Sequence, residues 1–203
     1  MDFYNNLLTN YAKEIKSAFK GITFLLMVFI IYSVLKQEQE TKYSQYFFDN
    51  QKKFEQLSKL TCSLLDSDLS RLEYQVGEYY NREPFFSIPS TYPDNEYEFK
   101  WQRLNEYAPG VEKILQQIDQ LLVDLDLEDL TATEIAGECR IFNYLWGWGM
   151  NGEGQFMHYV FNPQTVYPYN PSIHRESHRD RSTQIDFSIA LSAGWYLTYS
   201  NTP

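Results

Sequence analysis

Residues 21 to 35 read GITFLLMVFIIYSVL, an uncharged and almost wholly apolar run closed by Lys20 and Lys36. A helix crossing a bilayer core needs roughly 20 such residues. Phe19 lengthens the run, and the two lysines can reach the headgroups on their methylene stems. The spacing predicts a membrane helix over residues 19–36. A cleaved signal peptide has an apolar core of similar length, but Ser33-Val-Leu-Lys-Gln-Glu38 offers no small-x-small cleavage site. A buried core helix is the remaining alternative. Ahead of the run, Leu7, Leu8, Tyr11, Ile15 and Phe19 mark one side of an amphipathic helix.

Beyond the run, Gln37 to Tyr80 contains no proline and a single glycine, Gly77. Its apolar residues, from Tyr43, Phe47, Phe54 and Leu57 to Leu69, Leu72 and Val76, are spaced by threes and fours, which predicts one long helix continuing the membrane helix. Such a stripe serves equally to pack on the domain behind it or to form a homodimer. Pro84, Pro89 and Pro93 then enforce a loop. A second helix is expected over Tyr97 to Leu125, interrupted near Pro109-Gly110 and striped by Val111, Ile114, Leu115, Ile118, Leu121 and Leu122. The carboxylates between Asp124 and Leu130 alternate with leucines and read as a solvated face. Thr131-Ala-Thr-Glu134 fits a capping box opening a short helix.

From Cys139 the pattern changes. Arg140–Trp148 and Gln155–Phe161 are rich in aromatic and β-branched residues and flank Asn151-Gly152, the signature of a hairpin. Gly147, Gly149, Gly152 and Gly154 read there as turn glycines, not as a phosphate cradle. Asn162-Pro163, Pro168 and Asn170-Pro171 impose turns. Asp186–Tyr199 is again apolar, with a first half expected as helix or strand and a second half as strand. The fold class is therefore α+β: a membrane helix, a long helix, a helical middle and a C-terminal antiparallel sheet of about three strands. The segments are a cytoplasmic head (1–18), a transmembrane helix (19–36), a helical stalk and helical part (37–138) and a β-rich part (139–203).

Charge refines this picture. Lys13, Lys16 and Lys20 in the head against Lys36 and Lys42 just beyond the run favour a head inside the cell and a single-pass protein with an extracytoplasmic body. Residues 37–203 hold 25 of the 27 acidic and 13 of the 17 basic side chains, a net of −12. That body is ill suited to nucleic acid, which needs basic patches against phosphates. The 14 Phe, 17 Tyr and 4 Trp mark a folded chain. Cys62 and Cys139 form no spacing motif and are expected as free thiols, with pairing open to them only outside the cytoplasm. His158, His174 and His178 lack the companions of a metal site, so neither a metal nor another cofactor is expected. The only basic cluster, His174–Arg181 (HRESHRDR), reads as a solvated loop or as an anion-binding edge.

The aromatic strand, Asn-Gly turn, second strand and Tyr-Pro turn of FNYLWGWGMNGEGQFMHYVFNPQTVYP (Phe142–Pro168), behind a membrane helix and a long helix, resemble the start of a double-CACHE sensor region. Such regions belong to bacterial diguanylate cyclases, histidine kinases and chemoreceptors. The segment HRDRSTQIDFSIALSAGWYLTYSNTP is similar to the family's Arg…Trp-Tyr stretch, although Trp195-Tyr196 stands 14 residues after Arg181. The resemblance implies an incomplete CACHE/PAS-like sheet and an extracytoplasmic region of an inner-membrane receptor that senses an amino acid, amine or organic acid. Its output enzyme would lie outside these residues. Candidate pocket walls are Trp146, Tyr167, Trp195 and Tyr196. Arg181 is the candidate for a carboxylate and Asp186 for an amine. No nucleophile elbow, phosphate loop or Ser/His/Asp spacing argues for an enzyme. The alternative is a membrane-anchored interaction or scaffold protein.

Overall fold

The computed structural model describes residues 38–66, 71–76, 83–91, 97–150, 153–180 and 182–203. The chain divides into two units, residues 1–39 and 40–203, and the architecture below is that of the second. The apolar run at 21–35 lies outside the described residues. Among those described, no helix is long and apolar enough to cross a membrane.

The element order is α1 (Gln39–Asp49), α2 (Gln51–Leu65), β1 (Arg71–Gln75), β2 (Phe85–Thr91), β3 (Tyr97–Arg103), a 3-10 turn (Leu104–Glu106), α3 (Pro109–Asp124), β4 (Asp129–Ile135), β5 (Glu138–Met150), β6 (Glu153–Phe161), the short α4 (Pro171–His174), β7 (Ile185–Ala190) and β8 (Trp195–Thr202). The eight strands form one sheet in the order β3-β2-β1-β4-β5-β6-β8-β7, antiparallel at every pairing.

This overturns the expected fold class in three places. The long helix is broken at Asn50, whose Nδ2 donates to the Tyr46 carbonyl and whose backbone leaves helical geometry. It then ends at Leu65, and Arg71–Gln75 is a strand that buries Leu72 and Tyr74 on alternate positions. A homodimer through one continuous helix loses its basis with it. The middle is not wholly helical: Tyr97–Arg103 is a strand, and the helix begins only at Pro109, which suits a first turn. Thr131–Glu134 is no capping box but part of β4, where β-branched threonines favour the pleated backbone. Asp186–Tyr199 contributes two strands and no helix. Among the described residues strands therefore begin at residue 71, and eight of them replace the expected three.

Residues 140–148 and 155–161 are strands as the pattern predicts. Their register runs to Met150↔Glu153, which leaves only positions 151 and 152, outside the described residues, to join them. A bulge between Tyr144 and Trp146 shifts the alternation, so that Trp146 shares the inner face with Met157. Gly149 and Gly154 stand opposite each other so tightly that a Cβ on Gly149 would lie 1.9 Å from the Glu153 carbonyl oxygen.

One face of the sheet carries the core. Leu72, Tyr74, Phe86, Leu130, Ile141, Met157, Tyr159, Leu197 and Phe187 point to it, and Phe47 of α1, Phe54, Leu57 and Leu64 of α2 and Leu115, Ile118 and Leu122 of α3 cover it. Each such side chain contributes about 1.5–3 kcal/mol on burial. At the centre the Phe54 ring lies 4.7 Å from Phe47, 4.8 Å from Tyr159 and 5.3 Å from Trp195, and the Tyr159 hydroxyl donates to the Tyr43 carbonyl at 2.7 Å.

Two long-range links close the layer. Cys62 of α2 and Cys139 of β5 are joined in a disulfide, contrary to the expectation of free thiols. Their Cα atoms stand 5.6 Å apart although 77 residues separate them in sequence, a proximity the sequence spacing could not reveal. The second link corrects the reading of the basic cluster at one residue, while Arg175, Ser177, His178 and Asp180 are exposed as a solvated loop expects. Arg179 is neither solvated nor open to an anion: its guanidinium lies 4.1 Å from the Tyr199 ring centroid and is ion-paired to Glu40 of α1, with both side chains at most 5% exposed. His174 stacks on Phe187 at 5.1 Å. The segment after β6 thus folds over the inner face of β7 and β8.

Removing one partner of a buried pair strands the other charge, at about 3–5 kcal/mol. Arg179→Ala is expected to lose stability on that scale in urea unfolding followed by circular dichroism. The double change Glu40→Gln/Arg179→Met should recover most of it. A loss under about 1 kcal/mol for the single change would show that the pair is not sequestered.

Candidate functional site

At the end of the sheet where β4 turns into β5 and β7 into β8, a groove of about 850 Å³ opens. One wall is a flank of α2, where exposed Glu55 and Lys59 stand beside buried Ser58 and half-buried Cys62, continued by Asp66. These residues fall three and four apart, as one helix face requires. The other wall is formed by Phe161 and Asn162 from the end of β6 and Tyr196 of β8. The disulfide crosses between the walls, since Cys62 and Cys139 both line the groove.

Two tight turns make the rim. Ile135 pairs with Glu138, leaving Ala136 and Gly137 at φ 55° and 78°. Ala193 and Gly194 take φ 51° and 85° between β7 and β8. Positive φ at both central residues is the hairpin geometry that matches strand twist, and asparagine is the usual first residue. Asn162, itself at φ 48°, ties the two turns together: its N–H donates to the Gly194 carbonyl at 2.9 Å, and its Nδ2 to the Cys139 carbonyl at 3.2 Å. A Cβ on Gly194 would lie 2.8 Å from Asn162 Oδ1, so glycine permits this close approach.

Of the described candidate pocket residues, the groove takes Tyr196 alone. Trp195, next to it, points the opposite way and is buried in the aromatic core. Trp146 is half-buried on that same inner face, 6.3 Å from the Tyr199 ring. The indole N–H groups of both tryptophans are buried without a hydrogen-bond partner among the described residues. Tyr167 is exposed beside the outer edge of β7, where its carbonyl accepts from the Ser188 N–H at 2.7 Å. Asp186 lies on the outer face of β7 and accepts from Gln184 Nε2 at 3.2 Å. The register Tyr196↔Ala190 and Asp186↔Ser200 separates it from Tyr196 by four residues along the ladder, roughly 13 Å. Arg181 lies outside the described residues. The groove residues that sequence reasoning missed, Glu55, Asp66 and Glu138, stand far apart in the chain, and the one signal that could have joined them was the cysteine pair.

On the outer face a second group gathers over the middle strands. Asp129 is not on a solvated face. Its Oδ1 accepts the Tyr144 N–H at 2.7 Å, it stands opposite Gln75 of β1, and burial, reinforced by Glu128, pushes its carboxyl up to about 6. The Tyr144 ring meets the His158 ring edge-on at 5.7 Å, and burial lowers the His158 imidazole below its usual range. Phe142 and Tyr144 leave aromatic surface open there, and Trp148 is exposed on the other face at the hairpin end. Among the described residues no three His, Cys, Asp or Glu side chains come together as a metal site.

No family model matches the chain, and neither the curated proteins nor the solved structures include one significantly similar to it.

A carboxyl group held above its unfolded value binds its proton more tightly in the folded state. Its stabilising effect is complete below pH 4 and disappears as pH rises through about 6. Asp129→Asn keeps an acceptor for Tyr144 and removes the titration. The variant should therefore gain on the parent by up to about 3 kcal/mol between pH 4 and pH 7, read from paired urea unfolding curves. A constant difference across that range would show that Asp129 titrates normally.

Proposed function

We propose that this chain is the extracytoplasmic, small-molecule-sensing region of a membrane-anchored signalling receptor, with residues 1–18 inside the cell and residues 37–203 outside. The observation that carries the reading is the groove, a preformed concavity of ligand-binding size with aromatic, carboxylate and amide groups on facing walls. The disulfide supports the compartment, because such bonds persist in oxidising surroundings and are rare in the cytoplasm. The lysine-flanked run at 21–35 supports the anchor. With α2 held to the sheet, the parts of the groove free to differ are its two strand turns, and a molecule with differential affinity for two arrangements of them is all that a sensor requires. The output enzyme would be carried elsewhere. The exposed aromatic surface of Phe142 and Tyr144 favours a second reading, a membrane-anchored docking protein.

Two measurements test the proposal. Cells treated with a membrane-impermeant maleimide should show no labelling of the native chain, and labelling at Cys62 and Cys139 only after an impermeant reductant. Labelling that requires membrane permeabilisation would place the body in the cytoplasm. The full chain in detergent should then be screened by thermal shift against amino acids, amines and organic acids. A ligand at a hundredfold excess over its Kd adds about 2.7 kcal/mol. A stabilising compound whose effect is lost in Tyr196→Ala supports sensing at the groove. A folded chain that no compound stabilises leaves the docking reading.

A further inference from the structure

The chain enters the layer at one particular end of the sheet. Glu40, in the first turn of α1, is paired to Arg179 above the Tyr199 ring. Tyr43 packs on Tyr159, and Phe47 reaches Trp195. Tyr159 stands opposite Leu197, so these contacts step along β8 from Tyr199 through Leu197 to Trp195. Helix α1 therefore runs antiparallel to β8. Its N-terminus lies toward the end where β8 finishes and the β5–β6 hairpin turns. The groove, rimmed by the β4–β5 and β7–β8 turns, is at the opposite end.

The hairpin end carries the most exposed large apolar side chain among the described residues. Trp148 is 78% exposed, although tryptophan is highly buried on average. It shares a face with Trp146, whose ring lies 6.3 Å from Tyr199, and stands two strand positions further out, roughly 7 Å. The fold gives it little cover. Its cross-strand neighbour is Gln155, and the β4 ladder stops at Phe142. Glu40, where the chain enters, is only five positions beyond Leu35, the last residue of the apolar run. Five residues span at most about 18 Å. If the run spans a bilayer, the sheet end that receives Glu40 must therefore stand close to the headgroups. Tryptophan favours that depth, since its ring is apolar and its N–H is satisfied by water or headgroups.

We infer that the tip of the β5–β6 hairpin docks on the bilayer that holds the anchor, with the Trp148 indole among the lipid headgroups. This rests on the anchored reading above and goes beyond it. The exposed Glu153 carboxylate, opposite Met150, keeps the contact shallow, because a charge in the hydrocarbon is costly. The body is then held at two points, the chain entry and the hairpin. It stands with the groove end turned away from the membrane, open to molecules arriving from outside.

The test reconstitutes the full chain into vesicles of phosphatidylcholine and phosphatidylglycerol, brominated either near the headgroup or at the acyl-chain ends. Flotation shows whether the chain is anchored, and tryptophan emission shows which indoles touch bromine. Bromine near the headgroup should remove about the share of one tryptophan in four from the parent and leave the Trp148→Phe chain undimmed. Bromine at the chain ends should remove less. Because Trp148 is exposed, phenylalanine there leaves the core intact. Glu134→Trp, added to Trp148→Phe, puts an indole on an exposed position at the groove end, and it should stay unquenched. A chain that floats but is dimmed equally with and without Trp148 would keep the anchor and overturn the docking. Quenching at Glu134→Trp equal to that at Trp148 would show the body lying on its side and overturn it too. A Trp148 emission indifferent to bromine that shifts as the chain is diluted in the bilayer would assign the indole to a second copy instead. A chain left behind by the vesicles would overturn both the anchor and the docking.

Discussion

The rings of Phe47 and Phe54 meet each other and those of Tyr159 and Trp195 at 4.7 to 6.3 Å. They come from both sides of the break at Asn50 and from two neighbouring strands of the sheet. Packing them seats α1 and α2 on β6 and β8 as one unit, because neither helix can shift without opening a gap beneath two rings. The seating presents the polar face of α2 to the turns at the sheet's end and leaves room for the groove. It also brings Glu40 to Arg179 and Cys62 to Cys139, so that both cross-links join elements already placed by packing.

The sequence was legible where periodicity was long and uncontradicted. Val111 to Leu122 repeats every three or four residues and is α3; the alternation in QFMHYVF is β6. It misled where a stripe could be read in either period. Leu69, Leu72 and Val76 continue a helical spacing, but Leu72, Tyr74 and Val76 also alternate, and the sheet uses the alternation. Tyr97, Phe99 and Trp101 alternate openly in YEFKWQR, a signal lost when the segment was joined to the helix behind it. Antiparallel pairing with partners far away in the chain decides such cases, and no short window contains that information.

The candidate site was less legible than the fold. Trp195 and Tyr196 are neighbours in sequence and opposites in space, because successive strand residues face opposite sides. Only one of an aromatic pair on a strand can line a given pocket. The basic cluster misled for a different reason. A run of arginines and histidines looks solvated until tertiary structure supplies a buried partner, and Glu40 is 139 residues from Arg179. The acidic stretch after α3 divides in the same way. Asp126 is exposed, and Asp129, three residues on, is drawn into the ladder by the Tyr144 N–H.

The two borders of the sheet are treated differently. Along β7 the chain runs back against its own border: Pro168 bridges Ser188 in parallel, and the Tyr167 carbonyl takes the Ser188 N–H. A proline placed there has no N–H to offer an incoming strand, which is how natural sheets discourage unwanted extension. Along the opposite border, β3 has β2 as its one strand neighbour among the described residues. Any lengthening of the sheet by a foreign strand would therefore be directional. Among the described residues it would begin at β3, across the full width of the sheet from the Tyr167–Pro168 seal, leaving one open margin and not two.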